Sequence, residues 1–515
     1  MKNRLLALFV FLALMGGSAA AQDAKTVLQA ADKAMGATNL KSVQYSGTTG
    51  YVGALGQSYG AEMVGSAETE WPKFDITSYT RTIDYETKSS KEEIVLVQGK
   101  NPPLGGGGTP LQGEQRRTSM VSGNYAWNMQ GSNVTPAPAA AELRQLYIML
   151  TPHGFVRAAL AGNPTAVTRM EAGRKVTIVS FTALGKYRVN GTINGQNLVQ
   201  YIQTWVPNAV LGDMVWETRY SNFKDFGGVQ FPMVIHEHQG HAFYSLPARD
   251  TFEVTLSNVK TNVSNAALTV PEEVRQATVQ PVRVESQKLA DGVWFLGGGT
   301  HNSVAVEFRD FVAVVEAPQN EERSLAVIAE VKKIIPNKPI SYLVNTHHHF
   351  DHTGGMRTYA AEGATIITQA ENRDYYDKVV FAQPARSLVP DRLSLAPRVD
   401  RFRIIIEAVT QNYVLSDGVR TMELFPIGGL DHTRGMMIAY LPKEKIVVEA
   451  DLYSPPAPGQ APATPGPSAI SLYNNIKRRK LDVAQIAPIH GRVGTMDEFE
   501  KLVGPAIASQ RGGAD

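Results

Sequence analysis

The hydrophobic pattern of this chain changes period once, and that change constrains the fold more than any other feature. In the first half, runs such as Lys73–Tyr79, Arg174–Ser180 and Leu198–Trp205 are rich in β-branched and aromatic residues and alternate with period two over much of their length. Asn194-Gly195 and Gly227-Gly228 sit between such runs, so successive strands are joined by hairpins and an antiparallel meander is expected. Two stretches break the pattern with helical spacing. One is Val27–Met35; the other is Ala139–Leu160, which carries Leu143, Leu146, Tyr147, Leu150, Phe155 and Leu160, and Pro152 should kink it or end its first part. Between Val270 and Pro281 the strand pattern gives way to a mixed polar segment. From Val282 strands alternate with helices: Val304–Phe308 and Phe311–Val315 as strands, Glu321–Ile335 as a helix, Ile340–Asn345 as a strand. The expected organisation is therefore two domains, a mainly antiparallel β domain over 22–275 and an α/β domain over 285–515.

Composition narrows the chemistry. The 515 residues contain no cysteine, which removes disulfides, thiolate zinc sites, iron–sulfur clusters and cysteine nucleophiles. Any metal must be held by histidines and carboxylates. Lys2 and Arg4 precede the apolar run Leu5–Met15 and a small-residue stretch ending at Ala21, so residues 1–21 are expected to be a cleaved export signal and the protein periplasmic or secreted. That run is well short of the ~20 residues of a membrane span. Without the signal, 48 basic residues (50 less Lys2 and Arg4) face 48 acidic ones, so no field favours nucleic acid. Two segments read as plain loops: Pro102–Pro110, with four consecutive glycines but no phosphate-binding signature, and the proline-rich Ser454–Pro467.

The strongest chemical signal is Thr346-His347-His348-His349-Phe350-Asp351-His352, which contains His-x-His-x-Asp-His between a predicted strand and a predicted helix. His347 and His349, two apart in extended chain, project to one side, and Asp351 and His352 follow as the chain turns. Such side chains crowded on one turn repel when protonated unless a cation neutralises them. Three further candidates also follow predicted strands: His432 in Gly428-Gly429-Leu430-Asp431-His432, Asp451 after Lys445–Ala450, and His490 after Ile486–Ile489. Strand ends in a layered α/β domain meet along one edge, where sites form.

On these residues, 285–515 resembles the metallo-β-lactamase-fold hydrolase superfamily, and the resemblance implies an αβ/βα sandwich. It also implies His347, His349 and His432 on one metal, Asp351, His352 and His490 on a second, and Asp451 bridging them. The metals would be two divalent ions, zinc first, with iron or manganese also compatible. An aspartate at the bridging position resembles the dinuclear glyoxalase II, lactonase and phosphodiesterase branches more than the thiolate-using lactamases. The chain runs only 25 residues past His490, which makes the glyoxalase II branch less expected. The implied activity is hydrolysis of an ester, lactone, thioester or amide bond by a metal-bridging hydroxide, with Asp351 orienting the nucleophile. β-Lactam hydrolysis, or an apolar-ligand carrier whose metal domain is structural, are the alternatives.

Weaker candidates stand beside these. Tyr453 either supports a developing oxyanion or packs. His348 is either a support for the ligands or solvent-facing, and His301 is similarly ambiguous. His236-Glu237-His238 with His241 either binds a metal on the strand's outer face or is an exposed hairpin cluster. Lys477–Lys480 either receives an anion or answers a helix dipole. Asn222–Pro232 with Val254–Lys260 resembles the half-barrel sheets of periplasmic lipoprotein-carrier-like proteins, a shape that implies room for an apolar portion of a small-molecule substrate near Tyr201, Trp205 and Trp216.

Overall fold

The computed structural model describes residues 24–53, 55–58, 73–100, 111–240, 249–382, 386–397, 404–428, 430, 432–456, 459–460 and 464–512. The export segment, the glycine-rich run 102–110, His241, Asp431 and parts of the proline-rich segment lie outside the described residues.

The period-two half forms one 13-stranded antiparallel sheet. Across it, strands run backwards in chain order from Asn133–Pro136 to Ser42–Gly53, then from Arg249–Thr261 back to Thr165–Glu171. The first and last strands thus pair in the middle, and the two edge strands are consecutive in sequence. Their connection carries the helices Ala141–Met149 and Pro152–Ala161, which cross one face and touch strands of both arms. A sheet of this width twists and coils rather than lying flat, and here it wraps the helices. Residues 24–35 add a third helix. Leu28, Leu146, Phe155, Val189 and Phe231 are fully buried in the core between sheet and helices.

Pro152 ends one helix by starting the next. Thr151 Oγ1 accepts from Gly154 N at 3.2 Å, and Pro152 occupies the first helical turn, where its missing N–H costs nothing. Gly191 lets the strand Tyr187–Ile193 pass beneath this helix, because a Cβ there would lie 2.2 Å from the Phe155 ring. At the predicted hairpin, Asn194 Oδ1 accepts from Gln196 N and Leu198 N at 2.9 and 3.0 Å, which closes the turn.

The second half is a sandwich of a seven-stranded and a six-stranded sheet. Val304, Val306, Val315, Leu424, Ala439 and Val448 fill the space between them. Helix Glu321–Ile334 covers the outer face of the first sheet, and Pro467–Arg479 with Met496–Gly512 covers that of the second. Asn320 caps Glu321–Ile334, with Glu321 and Glu322 in its first turn and Lys332 and Lys333 in its last, the charge order that its dipole favours. Val312–Val315 runs parallel to Ile340–Val344, and Ile446–Glu449 runs parallel to Gln485–Pro488. Parallel neighbours end on the same side, so the chain leaves all four strands along one rim of the sandwich.

The two halves share apolar surface. A single buried cluster runs from Tyr45 and Phe155 through Val210 and Leu211 to Tyr359, Tyr375 and Leu393. Arg386 Nη2 donates to Val210 O at 2.9 Å, and Asp213 accepts from Ser387 N at 2.8 Å.

Candidate metal centre

His347, His348 and His349 leave the strand Ile340–Val344, and His349 is the residue before the short helix Phe350–Thr353. Asp451 follows Ile446–Glu449, and His490 follows Gln485–Pro488. His432 comes from the connection between Thr421–Pro426 and Met437–Leu441. The rim brings all seven sequence-predicted residues together.

His347 Nε2 lies 3.0 Å from His349 Nδ1 and 3.2 Å from His432 Nε2. Asp451 Oδ2 is 3.1 Å from His347 Nε2 and 3.0 Å from the Nε2 atoms of both His432 and His352. Its other oxygen, Oδ1, reaches His490 Nε2 at 2.9 Å. The Asp451 carboxylate therefore sits between two clusters, His347–His349–His432 and His352–His490. Asp351 Oδ2 completes the second, at 3.5 Å from His352 Nε2 and 3.7 Å from His490 Nε2.

Burial, and then neighbouring imidazoles, hold His347 and His349 well below the usual histidine range, so both rings are neutral. Burial works against charge on His352 too, yet Asp451 and Asp351 hold it well above that range. Burial opposes the charge of Asp351 and Asp451, while His352 above all keeps both below the ordinary carboxylate range. The neutral rings of His347 and His349 and the ionised carboxylates of Asp351 and Asp451 converge in one buried place as the donor set that a borderline divalent cation takes, and such a cation would take the place of the proton that the carboxylates hold on His352. Among the described residues, His432 Nδ1 is buried with no hydrogen-bond partner, and its Nε2 faces His347 Nε2 and Asp451 Oδ2. The residues present fit metal ions: the groups His347–His349–His432–Asp451 and His352–Asp451–His490 each present donor atoms within 4.8 Å of one another.

Sequence reasoning passed over several supporting residues. Glu316, buried at the end of Val312–Val315, accepts from His352 Nδ1 at 3.1 Å and from Thr346 N, which aims Nε2 of that ring at the centre. The visible signal was a lone acid closing the apolar run 312–315. Glu449 accepts from Leu452 N and Tyr453 N at 3.0 and 3.3 Å and holds the turn that bears Asp451; burial pushes its carboxyl up to about 8. Glu316 and Asp451 both adopt left-handed backbone, φ 73° and 60°, a strain that non-glycine residues carry where geometry is over-determined. His301, which the sequence left ambiguous, joins the site, with Nε2 3.1 Å from Asp351 Oδ2. Buried Arg323 holds its loop by donating to the carbonyls of Leu296, Gly297 and His301.

The other candidates resolve by position. His348 is buried rather than solvent-facing, with Thr433 Oγ1 3.4 Å from its Nδ1. Tyr453 packs on Phe499, ring centroids 4.5 Å apart. Lys477 pairs with Glu500, Arg478 bonds Asn475, and Arg479 bonds Asn412 and Pro426 O, so these three members of the basic run have partners within the fold. Tyr201, Trp205 and Trp216 do not share one surface. Trp216 lies opposite Thr204 and against Tyr147 of a crossing helix, whereas Tyr201 and Trp205, an odd number of positions from Thr204, face away.

The family model described as the Metallo-beta-lactamase superfamily matches residues 296–505, and this half has the metallo-β-lactamase fold. No curated protein matches the chain. Among solved structures, DIM-1 metallo-beta-lactamase is 16% identical, with 44% of this chain and 98% of that one covered and a TM-score of 0.33. A metallo-beta-lactamase from Pontibacter korlensis is 18% identical over 43% and 98% of the two chains, TM-score 0.32. FIM-1 from Pseudomonas aeruginosa, in a mono-zinc form, is 21% identical over 45% and 99%, TM-score 0.32.

Proposed function

With the superfamily match of residues 296–505 as premise, we propose that this chain is an exported metal-dependent hydrolase that cleaves an ester, lactone, thioester or amide bond. The observation that carries this reading is the convergence of His347, His349, His352, His432, His490, Asp351 and Asp451 on one rim, with Asp451 between the two clusters. Two divalent ions held by these residues would lower the pKa of a water toward ~7 and polarise the electrophilic oxygen of a substrate.

The chain's own residues set the direction of approach. Asp351 is 45% exposed and His490 25%, while His347, His352 and Asp451 are buried, so the substrate enters over Asp351, His301 and His490. Asp351 Oδ2 would accept a hydrogen bond from the attacking water and so orient it. His301 Nε2, donating to the same oxygen, keeps that carboxylate in position.

The first half contributes to the cleft. Its segment Leu55–Ser58 lies beside Phe350, the residue between His349 and Asp351: a Cβ on Gly56 would be 3.4 Å from the Phe350 Cβ. This supports a role for the β half in holding the part of the substrate remote from the scissile bond.

The test is hydrolysis by metal-loaded protein across lactones, thioesters, aryl esters, β-lactams and phosphodiesters, with elemental analysis of the same sample. At least two metals per chain, and turnover that a strong chelator abolishes, are expected. His349→Ala and Asp351→Asn should each remove nearly all turnover while circular dichroism stays native. Active, folded protein without metal would overturn the proposal.

A further inference from the structure

The β half carries a second convergence of imidazole and carboxylate that the hydrolase reading does not use. His236 and His238 lie two apart on the strand Gln230–Gly240 and so face the same side, opposite to Glu237, which is buried beneath the crossing helices. On the neighbouring strand His236 pairs with Glu253 and His238 with Asp250, with a register shift between Glu237 and His238 that leaves Thr251 as the extra residue. Regular alternation would put Thr251 beside His238. The bulge instead turns Asp250 onto the histidine face, the re-aiming of a side chain for which bulges are used. On the other flank Glu217 pairs with His238 and Arg219 with His236.

The ring contacts define a point. His236 Nδ1 meets Glu253 Oε2 at 2.8 Å and His238 Nδ1 meets Glu217 Oε1 at 3.2 Å. A carboxylate on each Nδ1 makes that nitrogen a donor and turns Nε2 toward the shared point, the arrangement that orients histidines toward a metal. The two Nε2 atoms are 2.9 Å apart, and Asp250 Oδ1 is 3.3 and 3.1 Å from them. Three donor atoms thus converge on one place; hydrogen bonds to Asp250 and Glu217 push the His238 ring up to about 9, and a bound cation would take the place of the proton on its Nε2.

The surrounding charge favours a cation. Among the described side chains, Glu217, Glu253 and Asp250 are opposed by Arg219, 2.6 Å from Glu217, and Lys73, 3.9 Å from Asp250, so these groups with neutral rings keep one negative charge in excess. Lys73 is drawn aside over the Tyr51 ring, 3.7 Å from its centroid. The rings are partly exposed and Asp250 half-exposed, so an ion can reach them from solvent.

We propose that His236, His238 and Asp250 form a separate binding site for a divalent first-row transition cation of the zinc type, oriented by Glu253 and Glu217, on the outer face of the β half. Two imidazoles and one carboxylate suit such an ion and leave a coordination position open. Bound there, it ties two adjacent strands at their bulge, with Glu217 of a third strand holding His238. The site stands independently of the hydrolase centre.

The test titrates Zn2+ into chelator-stripped full-length chain, comparing wild type with His236→Gln/His238→Gln. The double variant should bind one equivalent fewer, with circular dichroism and hydrolysis rates unchanged. This difference is read whatever the stoichiometry at the other centre, so the two proposals fail separately. Crystals of wild type grown with Zn2+ should show an anomalous peak about 2.0–2.2 Å from both Nε2 atoms. Equal equivalents in variant and wild type, or crystals whose rings share a proton with no anomalous peak, would overturn the site. If the double variant does not fold, Asp250→Asn and the wild-type map decide it.

Discussion

His352 shows how a side chain that touches no substrate can control the centre. Its Nδ1 faces Glu316, so its Nε2 is left for Asp451 and the space beyond. Removing the negative charge while keeping the shape, Glu316→Gln, should cost roughly 10–100-fold in metal affinity or activity, the usual effect of altering a ligand's carboxylate partner. Metal content against free metal concentration measures it, and an unchanged binding curve would show that the ring needs no such partner. A second residue controls stability through pH. Glu237 is buried, hydrogen-bonded by Tyr147, and burial pushes its carboxyl up to about 7. The folded state therefore keeps a proton that the unfolded state loses, and the stabilisation present below the unfolded pKa is lost as pH rises toward 7. Glu237→Gln should flatten this, so that the variant gains about 3 kcal/mol relative to wild type on going from acid to pH 8. Urea unfolding at pH 5 and pH 8 reads the difference, and a constant offset between the two proteins would contradict it.

At the scale of elements, the joint at Thr151-Pro152 sets where two helices meet the sheet. Thr151 Oγ1 donates to Ile148 O at 2.7 Å and accepts from Gly154 N, joining the end of one helix to the start of the next. Thr151→Ala should destabilise the protein by about 1–2 kcal/mol, as loss of a buried cap does. The denaturant midpoint should fall with its slope unchanged; a shift within error would mean that Pro152 alone suffices. The register of strands is the other decision made at this scale. The period-two pattern places residues on one of two faces but does not say which strand lies beside which. Trp216 and Tyr201 are therefore both apolar candidates in the sequence and on opposite faces in the sheet.

For the whole molecule, the shared buried cluster and the ties of Arg386 and Asp213 make the halves thermodynamically dependent. A chain beginning near residue 282 would expose apolar surface now buried between halves and should melt at a lower temperature than the same region in the full protein. Calorimetry on both settles it, and equal melting temperatures would show that the second half is self-sufficient. The same truncation removes Leu55–Ser58 from beside Phe350. Its rate on a long-chain ester should therefore fall more than its rate on a short-chain one.

The local chemistry of this chain was legible without coordinates. Hairpin turns at Asn194 and Gly227, the strand ends that bear His347, Asp451 and His490, and the change of period near 270–282 depend on residues close in sequence, where spacing and side-chain type decide the outcome. The pairing of the first and last strands of the β half, the approach of His301 to Asp351, the support of His352 by Glu316 and the bulge that turns Asp250 toward His236 and His238 were not legible. Each joins residues from separate strands or loops, and no one-dimensional pattern records which strand becomes a neighbour or where its register slips. Those contacts were decided by how the packed sheets align, because a shift of one residue sends a side chain to the opposite face.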